Sequence, residues 1–180
     1  MPETVTPKKV RFAGLRKFLL RRVVGYGNER RYWESRWAWG KIPRNPNYRS
    51  NMEAKVRQVM LEHGCKNILE IGCGHEALRN LPKWCGLDFS RNIECPIHAD
   101  ITVGIPLPDK CFDAVFTSGV LQHIRPEKVQ KAASEMARVA KLVILDEPHT
   151  QNPTFFSWDH NYEELFKGTP MVYVTEKWLL

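Results

Sequence analysis

The chain has 180 residues, 27 Lys and Arg against 20 Asp and Glu, and is 43% hydrophobic and 26% charged. That is enough apolar material for one compact domain with a core, which weighs against wholesale disorder and against a two-domain enzyme. The best apolar runs, Phe18-Leu19-Leu20 and Leu142-Val143-Ile144-Leu145, fall far short of the roughly 18 residues of a membrane-spanning helix, so a soluble or peripheral protein is expected.

The charge is unevenly spread. Residues 1–50 hold thirteen Lys/Arg and three acids, leaving fourteen bases and seventeen acids for the rest. The basicity therefore belongs to an N-terminal appendage, and the chain divides into a basic extension over 1–49 and a domain over 50–180. Five cysteines with no CxxC pair fit reduced thiols in a cytoplasmic protein better than a disulfide framework. Cys73, His75, Cys95 and His98 match no usual zinc spacing, so no metal is expected. A signal peptide's apolar core is lacking; the Arg-rich, acid-poor start leaves a mitochondrial presequence open.

In chain order, Phe12, Leu15, Leu19 and Val23 recur at helical spacing among Arg11, Lys17, Arg21 and Arg22, which predicts a basic amphipathic helix ended by Gly25 and Gly27. Tyr32, Trp33, Trp37 and Trp39 follow as an aromatic cluster, either a wall over a substrate or core packing, and Gly40 to Asn47 reads as a loop. A helix is predicted over about Ser50–His63, stopped by Gly64. Asn67–Ile71 reads as a first strand, Ala77–Leu81 as a short helix, Cys85–Phe89 as a second strand, Pro96–Asp100 as a third and Phe112–Thr117 as a fourth. A helix over Pro126–Ala140 turns Val129, Ala132, Ala133, Met136 and Val139 inward, and Lys141–Asp146 is a fifth strand. Continuously apolar strands alternating with helices predict an α/β fold with a doubly wound, mostly parallel sheet.

Ligands of such sheets sit at the carboxyl ends of the strands. The first strand runs into Glu70-Ile71-Gly72-Cys73-Gly74, where glycines let the backbone approach a ligand and the acid can take an ammonium or an ordered water. The second strand ends in Asp88, a carboxylate able to accept two ribose hydroxyls, and the third in Asp100-Ile101, placed to bracket an adenine. These ordered blocks resemble the class I S-adenosylmethionine-dependent methyltransferases, with Glu70–Gly74 matching their first motif and Gly86-Leu87-Asp88-Phe89-Ser90 their second. Ile105–Val115, Ser118–Ile124 and Glu135–Val139 extend the resemblance over about residues 50–150. The stretch from Leu121 through Glu147-Pro148 to Phe166 is loosely similar to small methyltransferases of surface-sugar biosynthesis.

The resemblance implies a Rossmann-like fold with S-adenosylmethionine as cofactor, held by Glu70, Gly72, Cys73, Gly74, Asp88, Phe89, Asp100, Ile101, Ser118 and Gly119. It also shows departures. Glu76 stands where a third glycine is common, the eleven residues between Asp88 and Asp100 leave little room for a crossover helix, and Met171–Leu180 suffice for one strand where the family has a hairpin. A sheet truncated at that edge is expected, with the N-terminal segment as substrate lid.

Methyl transfer is an in-line displacement in which positioning supplies much of the acceleration. For a hydroxyl acceptor a base helps, and His123, Glu147 and His149 are the catalytic candidates near strand ends. The segment Thr117–Val120 lacks the Asn/Asp-Pro-Pro-aromatic motif that grips a base amine, which argues against nucleobase amines. The reading is O-methylation of a small molecule, a saccharide or lipid-linked precursor. Its rivals are a non-catalytic docking module and an RNA methyltransferase. The basic residues 8–24 suit an anionic membrane surface better than nucleic acid, placing the protein in the cytoplasm and peripherally at a membrane.

Overall fold

The computed structural model describes residues 32–34, 46–74, 78–147 and 157–174, with side chains of 46–49 left out. The predicted basic helix, Trp37, Trp39, His75, Glu76 and His149 lie outside the described residues.

The first long helix, α1 (Pro46–Glu62), begins four residues before the predicted start. Pro46 fits there because its fixed φ suits a helix entry and its missing N–H is one of the unpaired first four. At the other end Gly64 adopts φ +66°, and the Cys65 N–H donates to the Met60 carbonyl at 2.8 Å, a left-handed cap that stops the helix. One face of α1 buries Met52, Val56, Val59 and Met60.

Six strands follow: β1 (Ile68–Ile71), β2 (Trp84–Asp88), β3 (Ile97–His98), β4 (Phe112–Ser118), β5 (Ala140–Asp146) and β6 (Met171–Tyr173). They form one sheet in the order β3-β2-β1-β4-β5-β6, and every described pairing is parallel. Because side chains alternate along a strand, Ile68, Ala114, Phe116, Leu142 and Ile144 meet α1 on one face. Leu69, Ile71, Val115, Val143 and Leu145 face the opposite way, onto α2 (Pro126–Val139) and the short α3 (Tyr162–Leu165). Each fully buried aliphatic contributes about 1.5–3 kcal/mol relative to exposure, so both faces are needed.

Helix α2 starts with Pro126 and carries Glu127 in its first turn and Arg138 in its last, the charge order its dipole favours. It runs straight into β5 with no glycine cap. The Lys110 ammonium instead donates to the carbonyls of Ala137 (2.6 Å) and Ala140 (2.8 Å). Arg138 ties the approach to β4 by donating to Glu135, Asp109 and the carbonyls of Ile105 and Leu107. The guanidinium holds the Glu135 carboxyl down at about 2.

The structure corrects one local expectation: residues 78–83 form turns instead of the predicted short helix. Residues 89–96, linking β2 to β3, hold no helix, as the short spacing from Asp88 to Asp100 implies. At the far edge β6 pairs parallel with β5 through Val143–Met171 to Leu145–Tyr173, so the described part of the sheet ends without an antiparallel strand. Among the described residues no helix is long and apolar enough to cross a membrane.

Candidate functional site

After β1 the chain goes to β2 on one side, and β4 lies on the other, so the order reverses at β1 and opens a crevice there at the carboxyl ends. The turn Gly72-Cys73-Gly74 occupies that point. Gly72 has φ +62° and Gly74 φ +36°, left-handed values that glycine adopts without strain. A Cβ on Gly72 would lie 2.4 Å from Val120 Cγ2, so the turn and the segment after β4 touch as closely as a glycine allows.

Asp88, at the end of β2, is only 3% exposed and ties the crevice together. Its Oδ2 accepts the Gly74 N–H at 3.2 Å and its Oδ1 the Ser90 N–H at 2.8 Å. Burial pushes its pKa up, while those two N–H groups pull it down. A carboxylate accepts only and offers about four lone-pair sites, the kind of group a pair of hydroxyls requires. Phe89 next to it is half-buried. Cys73 contributes backbone only: its N–H donates to Leu87, and its buried thiol is packed 2.9 Å from where a Gly86 Cβ would stand, burial raising its pKa.

Asp100 Oδ1 accepts both the N–H and hydroxyl of Thr102, at 2.9 and 2.7 Å, folding the turn after β3. Ile101 next to it packs into the main core. Glu70 is a correction. Its carboxylate is buried among the chain's own donors, the Leu78 N–H at 3.2 Å and the Trp84 indole N–H at 2.7 Å, so it braces the link from β1 to β2.

On the other flank, the Ser118 hydroxyl donates to Asp146 Oδ2 at 2.7 Å, and Gly119, φ +62°, donates its N–H to the Asp146 carbonyl. A 3-10 turn, Leu121–His123, follows. The His123 ring lies 4.4 Å from that of Trp33, which in turn meets Tyr32 edge-on at 5.1 Å. On the same helical turn the Glu34 carbonyl accepts from Asn92 Nδ2 at 3.4 Å. Residues 32–34 therefore bridge the loop after β2 and the turn after β4, crossing the crevice above β1. The sequence marks Trp33 as one of an aromatic cluster without indicating its partner, and no local signal marks Asn92.

Glu147, expected to face a substrate, points inward at 2% exposure. Oε1 accepts from Val120 N, Leu121 N and Thr117 Oγ1 and Oε2 from Gln122 N, at 2.8–3.3 Å. Burial pushes its pKa up to about 7 against those donors. As a substrate base it is corrected; His123 stands beside Trp33 at the described crevice, and His149 lies outside the described residues. Among the described residues no group of three His, Cys, Asp or Glu side chains converges as a metal site.

Residues 69–142 match the family model described as a methyltransferase domain. Over this segment the chain is similar to methyltransferase domains, which use S-adenosylmethionine. Its glycine turn, Asp88 and the segment after β4 all fall within the match. Among solved structures the chain is similar to a SAM dependent methyltransferase from Archaeoglobus fulgidus, with 25% identity over 48% of this chain and 45% of that one and a TM-score of 0.39. It is also similar to the PH0226 protein from Pyrococcus horikoshii OT3, at 19% identity over 53% and 51% and a TM-score of 0.44. A third is magnesium protoporphyrin IX methyltransferase from Synechocystis PCC 6803 with bound SAM, at 17% identity over 90% and 86% and a TM-score of 0.48. The match spans about half the length of the first two. No curated protein matches the chain.

Proposed function

We propose that the chain transfers a methyl group from S-adenosylmethionine to a hydroxyl oxygen of a small molecule, a saccharide or a lipid-linked precursor. The observation that carries this reading is the convergence of the glycine turn, Asp88 and the segment after β4 on one crevice, joined by the Gly74–Asp88 hydrogen bond and the approach of Val120 to Gly72. Asp88 would accept the ribose hydroxyls, the Gly72–Gly74 backbone would receive the amino acid part, and Phe89 and Asp100 would flank the base. When bound, the cofactor supplies a methyl group made electrophilic by a sulfonium.

The chain's own contribution is placement and a proton acceptor. His123, at the crevice, takes the acceptor's hydroxyl proton as the oxygen–carbon bond forms and the carbon–sulfur bond breaks, and returns that proton to water. Tyr32, Trp33 and His123 present an aromatic surface of the kind on which the apolar face of a sugar ring packs. The looser likeness of residues 121–166 to surface-sugar methyltransferases supports the same acceptor class. The charge of residues 8–24 favours a peripheral contact with anionic membrane. Salt-sensitive sedimentation with anionic vesicles, lost on deleting residues 1–25, is the result expected; unchanged sedimentation would remove the membrane contact from the proposal.

Calorimetric titration with S-adenosylmethionine and S-adenosylhomocysteine tests the core of the proposal. Saturable binding that Asp88→Ala abolishes is expected, followed by methyl incorporation into a sugar or lipid-linked sugar. No binding at millimolar ligand overturns it in favour of a non-catalytic docking module, and incorporation into RNA instead moves the acceptor assignment.

A further inference from the structure

We infer that Glu147 is the positioning residue of this site, its carboxylate holding the segment 117–124 so that Val120 seats on the glycine turn and His123 seats beneath Trp33. The meaning of that seating for catalysis rests on the methyl-transfer reading; the seating itself does not.

The 3-10 turn Leu121–His123 begins at Val120, which has no side-chain oxygen to cap it. Three successive N–H groups, of Val120, Leu121 and Gln122, would be left without partners at that start. Glu147 takes all three and the Thr117 hydroxyl as well, from a position 25 to 30 residues further along the chain. The other end of the turn is held independently. The Trp158 N–H donates to the Gln122 carbonyl at 2.7 Å, and His160 Nε2 donates to that of Ile124 at 2.9 Å.

A turn that only had to fold could carry Ser, Asp or Asn at position 120 and cap itself locally. Burying a carboxylate at the end of β5 is costlier, because its charge must leave water. What the buried carboxylate adds is a joint between β4 and β5, whose carboxyl ends it locks together just where the two arms of the segment diverge. One arm carries Val120, 2.4 Å from a Gly72 Cβ position; the other carries His123, 4.4 Å from the Trp33 ring. The hydrogen bonds of Glu147 go to Thr117, Val120, Leu121 and Gln122, so it acts through the segment and is a positioning and not a catalytic residue.

The test uses the full chain with isotope-labelled histidine, the His123 ring resonances assigned by their loss in His123→Gln. In the wild type these resonances carry a ring-current shift from Trp33. Glu147→Gln keeps the size but sets an amide N–H against the Gln122 N–H or the Val120 pair. At about pH 8, where the Glu147 carboxyl is ionised, the expected result is a His123 shift that falls by at least half and S-adenosylhomocysteine binding weakened about tenfold, as the loss of one charge-assisted hydrogen bond allows. Thr117→Val removes one donor and should move His123 in the same direction by less. Unmoved His123 resonances with affinity within twofold in a folded Glu147→Gln overturn the inference. If Glu147→Gln does not fold, unmoved resonances in Thr117→Val overturn it instead. Should the wild type bind no S-adenosylhomocysteine, the methyl-transfer reading falls, while the His123 resonances still decide the positioning role.

Discussion

Replacing Gly72 by alanine separates two costs that the structure places on one residue. Its φ of +62° imposes about 1–2 kcal/mol on any residue with a Cβ. The new Cβ would also stand 2.4 Å from Val120 Cγ2, and relieving such overpacking costs about 1–3 kcal/mol. Gly72→Ala should therefore lose about 2–5 kcal/mol in urea unfolding, read by linear extrapolation. Val120→Ala removes the clashing methyls, and the next nearest atom, Val120 Cβ at 3.5 Å, is an ordinary contact. In the double variant the packing part should vanish while the backbone part stays, a favourable coupling of about 1–3 kcal/mol. Additivity of the two substitutions within about 0.5 kcal/mol would show that the segment after β4 does not rest on the glycine turn, and the crevice described above would have to be redrawn.

Glu147 also predicts the slope of stability with pH. Its pKa in the fold is about 7 against an ordinary 4.5, so the folded state holds the extra proton; that contribution is complete below about pH 4.5 and disappears as pH rises through 7, by about 3 kcal/mol. Tyr162 and Tyr173 face it with hydroxyl pKa values raised by burial, so neither titrates in that window. Asp88 slopes the same way and Glu135 and Asp113 the opposite way, which is why the quantity to measure is the wild type minus Glu147→Gln between pH 4.5 and 8; a flat difference would contradict the buried carboxylate. Trp84→Phe withdraws the 2.7 Å indole donor from buried Glu70 and should cost about 1–3 kcal/mol with S-adenosylhomocysteine affinity little changed. A large loss of affinity with little loss of stability would return Glu70 to the ligand.

Much of this site was legible because its signals are local. The alternation of apolar strands and helices marked a parallel sheet, and two glycines after a strand marked the turn, because positive φ is a property of the residue itself. Asp88 stood out for the same reason, as an acid at the end of a strand. Partners far apart in sequence left no such mark. Glu70 and Glu147 read as ligand-facing acids by position, yet what each does depends on donors 8 to 30 residues away that only folding delivers.

Pairing direction at the sheet's edge was equally invisible. Met171–Tyr173 is too short a run to encode which way it lies, and the open flank of β5 decides it. The contact of Trp33 with His123, ninety residues apart, depends on where residues 32–34 lie against the turn after β4. The amino-acid sequence by itself determined the strands, the glycine turn and the side of the sheet that carries the site, because backbone preference and hydrophobic periodicity are written residue by residue. The tertiary structure alone decided which acids brace the frame, because a buried carboxylate takes its role from the donors that surround it.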